Sequence, residues 1–324
     1  MGVLNVTEDS TSDGGLYLHT SAAAAHAHTL IEQGADLIDI GAESTRPGAK
    51  RVSESEEINR ITRTLQAIRE DAHAHHVQLS IDTTRASVAQ AALDEGADII
   101  NDVSGGTLDP HMPKLLARTG KPYIVQHWRG WLDGRDSSKY EYGVVADTVA
   151  ELHRQIINVL NSGVKPEQII ADPGLGFSKP GPELNYPLIE HLEELQQLGF
   201  PVLIGASRKR FVKKTLLDDG LRRMARTDNL EPQEVSQEVS NDRLDVATAM
   251  ISVLAVQKGA WAVRVHNVQA SRDALAVWET ARQFEHTIAP ARADLTSVDL
   301  TSIGQLSSAD QPAATSEQAT TEEE

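Results

Sequence analysis

Short apolar runs recur along the chain, and each ends on a polar or charged residue ahead of a loop and a helical stretch. GVLNV ends near Asn5, DLIDIG leads to Glu43, QLSID ends at Asp82, and DIINDV carries Asn101 and Asp102. PYIVQH ends at His127, QIIADPG carries Asp172, PVLIGAS leads to Lys209, and WAVRVH ends with Arg264 and His266. Continuous Val/Ile/Leu runs of this kind suit parallel strands buried on both faces, and the segments between them are long enough for crossover helices. Roughly eight such units in about 290 residues predict an α/β fold, a (β/α)8 TIM barrel, with its chemistry on the rim where strands end and loops begin.

Helical periodicity is clearest in TSAAAAHAHTLIEQGAD, SEEINRITRTLQAIREDAHA, RASVAQAALDEGAD and VVADTVAELHRQIINVLNSGV, three of which stop at Gly34, Gly96 and Gly163. A glycine stop followed at once by an apolar run is the helix-to-strand half of a βαβ unit. The strand-to-helix connections, at 7–20, 42–56, 128–143 and 173–187, are longer and more polar, which places function on that face. Between Phe211 and a helix beginning near Asp245 a short helical pattern mixes with polar, acidic sequence, and we expect a mobile surface insertion at about 217–244 rather than a lid. The chain begins directly on the first expected strand, which suggests a truncated start. Residues 289–324, ending QPAATSEQATTEEE, lack the apolar content to fold, so a single barrel domain at 1–288 and a disordered acidic tail are expected.

Composition narrows the classes. The 324 residues are 40% hydrophobic and 24% charged, ordinary for a globular enzyme. No apolar stretch reaches the roughly 18 residues of a membrane span, and the start has no signal-like pattern, so the expectation is a cytoplasmic protein without a membrane partner. A net charge of −17 argues against nucleic acid. With no cysteine, disulfides, thiolate metal sites and a thiol nucleophile are excluded, and any metal must take oxygen or imidazole ligands.

The candidate chemistry lies at the run ends. Arg208, Lys209, Arg264 and His266 follow the seventh and eighth runs, where barrels of this kind frequently bind phosphate, and four such groups suit a diphosphate. Asp82, Asn101 and Asp172 need partners if buried. An internal Lys or Arg would serve, and so would a ligand offering several N–H donors, such as an amino-pyrimidinone ring; spacing does not choose between them. Asn5 could present an amide oxygen to Mg2+ or simply bond a loop. The loops NVTEDSTSDGG and GAESTRPGAK are long and polar enough to order over a substrate. His73, His75 and His76 read as a solvated helix end, and His127 as a structural support of the site.

Five strings in order, MGVLNVTEDSTSDGG, DIGAESTRPGA, SIDTTRASVAQAALDEGADIINDVSGG, DPGLGFSK with GASRKRF, and RVHNV, resemble the dihydropteroate synthases over about residues 1–285. HWRG after the fifth run resembles their actinobacterial branch. The resemblance implies a transferase of folate biosynthesis that joins 6-hydroxymethyl-7,8-dihydropterin diphosphate to 4-aminobenzoate in an SN1-like, Mg2+-assisted reaction. It implies pterin binding by Asp82, Asn101, Asp172 and Lys209, with Asp172 and Asn101 on the N–H edge, and diphosphate binding by Arg264 and His266. It further implies Asn5 as the Mg2+ ligand, Thr45 as a substrate contact, Arg46 and Pro47 as loop residues closing the aminobenzoate site, Phe177 as an aromatic lining it, and Asp13 as a carboxylate facing the cationic intermediate. Catalytic roles fall to Asp13, Arg46 and Lys209. The family forms homodimers, for which DVATAMISVLAVQKGA is a candidate surface.

Several positions depart from the family pattern: Glu8 and Thr11 in the first loop, Ala42 before the second, Gln126 beside the pterin site, and Asn267 after RVH. Thr11 in place of an aromatic removes contact worth about 1 to 3 kcal/mol from the aminobenzoate pocket, which sulfonamides also occupy. The alternatives are a degenerate paralogue that binds pterin without condensing it, a pterin-dependent methyltransferase serving a corrinoid partner, and a Schiff-base aldolase using Lys209.

Overall fold

In the computed structural model, which describes residues 1–7, 20–43, 51–130, 138–224 and 239–284, the eight expected strands all form and all run parallel. They are β1 (Gly2–Asn5), β2 (Leu37–Gly41), β3 (Gln78–Asp82), β4 (Ile99–Asp102), β5 (Tyr123–Gln126), β6 (Ile169–Asp172), β7 (Leu203–Ile204) and β8 (Ala262–Val263). The first six pair in chain order, and β7 pairs with β8. Two bridges, Ala171 with Val202 and Gly2 with Val265, join the two sheets edge to edge, so the ring closes as a (β/α)8 barrel. Met1 takes part in that closure, its carbonyl accepting from the Val265 amide at 2.9 Å.

The helices are α1 (Thr20–Glu32), α2 (Glu54–Ala74), α3 (Ala86–Asp94), α4 (His111–Thr119), α5 (Val144–Asn161), α6 (Tyr186–Glu190), α7 (Leu192–Gln196), α8 (Arg210–Met224), α9 (Asn241–Gln257) and α10 (Val268–Gln283). The glycine stops behave as expected: Gly34, Gly96 and Gly163 all adopt positive φ, and the chain turns straight into the next strand. Ser53 caps α2, accepting from the Glu56 amide at 3.2 Å, with three glutamates in the first turn favoured by the helix dipole.

The expected surface insertion is partly helical. Its first portion belongs to α8, because Phe211 and Val212 are buried and Leu216 and Leu217 pack on the core, a helical spacing that outweighs the polar composition. The rest of it, 225–238, lies outside the described residues. Met1–Glu279 forms one compact unit and Thr280–Glu324 a second, of which the structure describes only the part up to Phe284. The expected tail, 289–324, therefore lies outside the described residues. Among the described residues no helix is long and apolar enough to cross a membrane.

Side chains alternate across each strand, and this sorts the barrel into layers. Met1, Leu37, Ile99, Ile124, Ile170 and Leu203 point inward with Ala262 and plug the bottom. Leu4, Ile38, Ile40, Leu79, Ile81, Val125 and Ile204 point outward into the helix layer. Two residues beyond the plug, on the same inward rows, stand Asp39, Asn101, Gln126, Asp172 and Arg264. The apolar plug supports a polar floor.

Candidate active site

That floor is a network of charged and amide groups in which Arg264 reaches across the barrel. Its Nε donates to Asp39 Oδ2 at 2.6 Å and its Nη2 to Asp82 Oδ2 at 3.2 Å. Asp39 also takes the Ser80 hydroxyl at 2.6 Å and the Asn101 amide Nδ2 at 3.0 Å. Asp82, Asn101 and Arg264, three of the residues singled out in the sequence, thus converge through Asp39, which was not. The signal for Asp39 was present: a carboxylate in the middle of an apolar run, on the same period-2 row as Leu37 and Gly41.

Lys209 stands on the opposite arc. Its Nζ donates to the Leu175 carbonyl and lies 4.9 Å from the centre of the Phe177 ring. Gly205 separates it from Arg264: a side-chain carbon on that glycine would sit 3.7 Å from Lys209 Nζ and 3.8 Å from Arg264 Cβ. Asp172 accepts from the Gly174 amide at 2.7 Å and is the principal counter-charge of Lys209. His266 closes against the same loop, its ring Nδ1 2.9 Å from Ser207 Oγ.

Burial controls the protonation of this cluster. It raises Asp82 to about 7, with the Asp39 charge adding to the rise and Arg264 opposing it. Burial also raises Asp172 and lowers Lys209 to about 8, with Asp172 resisting the latter fall. Arg264 is held above its ordinary value: burial works against its charge, but the Asp39 and Asp82 carboxylates outweigh it. The site is acceptor-rich, holding three carboxylates and an amide beside two cations.

Not every expected cation joins it. Arg208, grouped in the sequence with the diphosphate-binding cations, directs its guanidinium at Asp245, at 2.8 and 2.9 Å. Its backbone φ is 55°, in the left-handed region. Asn267 lies beside the same carboxylate, donating from Nδ2 at 3.3 Å while its Oδ1 accepts from the Ala270 amide at 2.9 Å as the cap of α10. An aspartate there could cap the helix but not donate to Asp245. The buried Gln126 amide donates to the Val103 carbonyl at 3.3 Å. Glu43 receives Arg51 and Arg85 and anchors the start of the second loop. Asp13, Thr45, Arg46, Pro47, Glu8 and Thr11 lie outside the described residues.

His127 does support the site from behind. Lys179 in the loop after β6, fully buried, donates to His127 Nδ1 at 3.0 Å and to the carbonyls of Pro173 and Gly174 at 2.9 and 3.3 Å. The other ring nitrogen of His127 meets Glu151, which Arg129 grips through both carboxylate oxygens. Sequence reasoning missed Lys179 and Glu151, since a lysine in a polar loop and a glutamate on an amphipathic helix carry no mark of burial.

For a hard cation the structure offers a small cradle. A side-chain carbon on Gly41 would lie 3.4 Å from Asn5 Oδ1 and 3.8 Å from Asp82 Oδ2, so the glycine keeps open a space bordered by two oxygens. Such donors fit Mg2+, which completes its shell with water and phosphate oxygens. Among the described residues no three His, Asp or Glu side chains gather as an all-protein metal site.

The family model described as pterin binding enzyme matches residues 1–266. The chain belongs to the pterin-binding enzyme family. Among its relatives, a dihydropteroate synthase of Mycobacterium leprae is 43% identical over 279 residues, covering 86% of this chain and 91% of the relative. The solved dihydropteroate synthase of Xanthomonas albilineans with 4-aminobenzoic acid matches with a TM-score of 0.72 at 34% identity, over 87% of this chain and 92% of that one. The same enzyme in complex with 7,8-dihydropteroate matches with a TM-score of 0.70 at 32% identity, with the same coverage. In this pterin-binding enzyme, therefore, the barrel is that of its family.

Proposed function

We propose that the protein is a dihydropteroate synthase, condensing 6-hydroxymethyl-7,8-dihydropterin diphosphate with 4-aminobenzoate to give 7,8-dihydropteroate and diphosphate. The observation that carries this reading is the convergence of Asp82, Asn101, Asp172, Lys209 and Arg264 on one rim, in a chain 43% identical to a named synthase.

The residue types account for the chemistry. Asp172 and the Asn101 carbonyl oxygen accept from the N–H edge of the pterin, while the Lys209 ammonium donates to a ring acceptor. Arg264 carries five N–H donors, of which Asp39 and Asp82 engage two, so the guanidinium retains donors for phosphate oxygens, with His266 beside it. Asn5 would hold Mg2+, whose charge makes diphosphate a better leaving group. The bond between the pterin methylene and the diphosphate oxygen breaks with its electron pair leaving on the diphosphate. The ring delocalises the resulting positive charge, and Asp13 is the carboxylate assigned to stabilise it. The aminobenzoate amine, largely unprotonated at neutral pH, attacks that carbon and then loses a proton to solvent. Thr45, Arg46, Pro47 and Phe177 hold the aminobenzoate in line, a positioning effect. An SN1-like course needs no strong base.

The partner face proposed for a homodimer is the outer side of α9. Ala249, Ile251 and Ala255 pack inward on that helix, whereas Val246 and Met250 are 71% and 55% exposed, one turn apart. Val246→Asp should shift the protein toward monomer in light-scattering chromatography.

The test of activity is diphosphate release measured with and without 4-aminobenzoate in the presence of Mg2+. Stimulated release is expected. A protein that binds pterin but shows no stimulation would be a binding paralogue.

A further inference from the structure

Asp39 is wholly buried midway along β2, and it has no direct part in the reading above. Both its oxygens are engaged from neighbouring strands: Oδ1 by the Ser80 hydroxyl at 2.6 Å, Oδ2 by Arg264 Nε at 2.6 Å and Asn101 Nδ2 at 3.0 Å. A carboxylate in this setting accepts, and all three of its contacts, from Ser80, Arg264 and Asn101, come from donors. The side-chain amide of Asn101 has a donor end and an acceptor end, and against such a neighbour only the donor end is tolerated. The reverse orientation would set two acceptor oxygens about 3.0 Å apart in a buried site. The carbonyl Oδ1 is thereby turned to the other side, where it is buried and has no hydrogen-bond partner among the described residues. A buried acceptor left unmet is costly, and a ligand N–H is what would satisfy it.

We propose that Asp39 is a specificity-determining positioning residue: by fixing the direction of the Asn101 amide it makes this part of the rim acceptor-only, selecting a ring edge that carries an exocyclic amino group over one that carries a carbonyl. The inference rests on the pterin reading and deepens it. Ser80 supports Asp39 from the next strand, and Arg264 supplies its counter-charge. With the carboxylate removed, as in Asp39→Ala, no acceptor holds Asn101 Nδ2 and either orientation of that amide is open, so the rim can accept or donate and discrimination relaxes.

The test uses two ligands without diphosphate, so that contacts between Arg264 and phosphate do not enter: 6-hydroxymethylpterin and its 2-oxo analogue, with Kd measured by calorimetry. The unaltered protein should prefer the 2-amino compound, and Asp39→Ala should reduce that ratio by about tenfold. A merely structural role would weaken both ligands alike and leave the ratio unchanged, which would overturn the proposal. Should Asp39→Ala give no cooperative thermal transition, Asp39→Leu, which refills the volume of the carboxylate without an acceptor, serves in its place, with a similar reduction expected and an unchanged ratio again overturning the idea. Failure of the unaltered protein to bind 6-hydroxymethylpterin would overturn the pterin reading itself, whereas normal binding with an unchanged ratio removes only the role given to Asp39.

Discussion

Nζ of Lys179 lies 3.0 Å from Nδ1 of His127. On the other side of the ring Nε2 lies 2.8 Å from the Glu151 carboxylate, which can only accept and so fixes the tautomer of the imidazole. With Nδ1 accepting, the ring proton sits on Nε2 and is donated to Glu151 at 2.8 Å. The pair ties the loop after β6, which carries Phe177 and the carbonyl that meets Lys209, to the end of β5.

This arrangement predicts acid sensitivity with a defined sign. Burial first, and the Lys179 charge second, lower His127 from 6.5 to about 4. Between those values the unfolded chain binds the extra proton and the folded protein does not, so stability falls as pH drops from about 6.5 to about 4. The loss from this one group is on the order of 3 kcal/mol. His127→Gln should lose less stability than the parent between pH 7 and pH 4 in urea unfolding. An equal loss in both proteins would remove His127 as the cause.

Asp82 should behave in the opposite way. Its folded-state value is raised from 3.8 to about 7, by burial and then by Asp39, so its contribution to stability is complete below about 4 and is lost as pH rises through about 7. Asp82→Asn is therefore expected to be more stable than the parent at pH 8 by about 1 to 3 kcal/mol, less so at pH 5, while binding pterin more weakly. Thermal unfolding at the two pH values, with calorimetry on the same samples, checks both halves.

Asp172 and Lys209 oppose one another across the rim and form the ring-binding pair of the proposed function. Asp172→Ala and Lys209→Ala should each reduce affinity for 6-hydroxymethylpterin by about a hundredfold or more, because each leaves the other a buried charge without its counter-charge. Near-normal calorimetric affinity in either variant would show that the ring binds elsewhere.

Asn267 departs from the family pattern, and Asp245 supplies a physical reason. Asn267→Asp keeps the cap on α10 but brings a second carboxylate to the one already held by Arg208. A destabilisation of about 1 kcal/mol is expected at pH 7, disappearing near pH 4, in urea unfolding of the two proteins.

Strand and helix order, the glycine stops and the polar strand tips were legible along the chain because each is a local property. An apolar run that ends on Asp82 or Asp172 declares its own buried length and its own tip. The stretch after Phe211 was legible only in part: a short helical pattern shows in the sequence, but that four apolar residues at this spacing pack α8 on the core is decided by the fold.

By itself the sequence determined the barrel, the rim and the residues crowded at its edge, since period-2 and period-3.6 patterns dictate which side chains face inward. Only the closed ring decided how those side chains divide their charges. Arg208 turns to Asp245, Arg264 crosses to Asp39 on β2, and Lys179 folds beneath its own loop. Spacing along a chain fixes the face on which a charge stands, but its partner is whichever opposite charge or dipole the fold buries within about 3 Å of it, where low dielectric makes pairing obligatory.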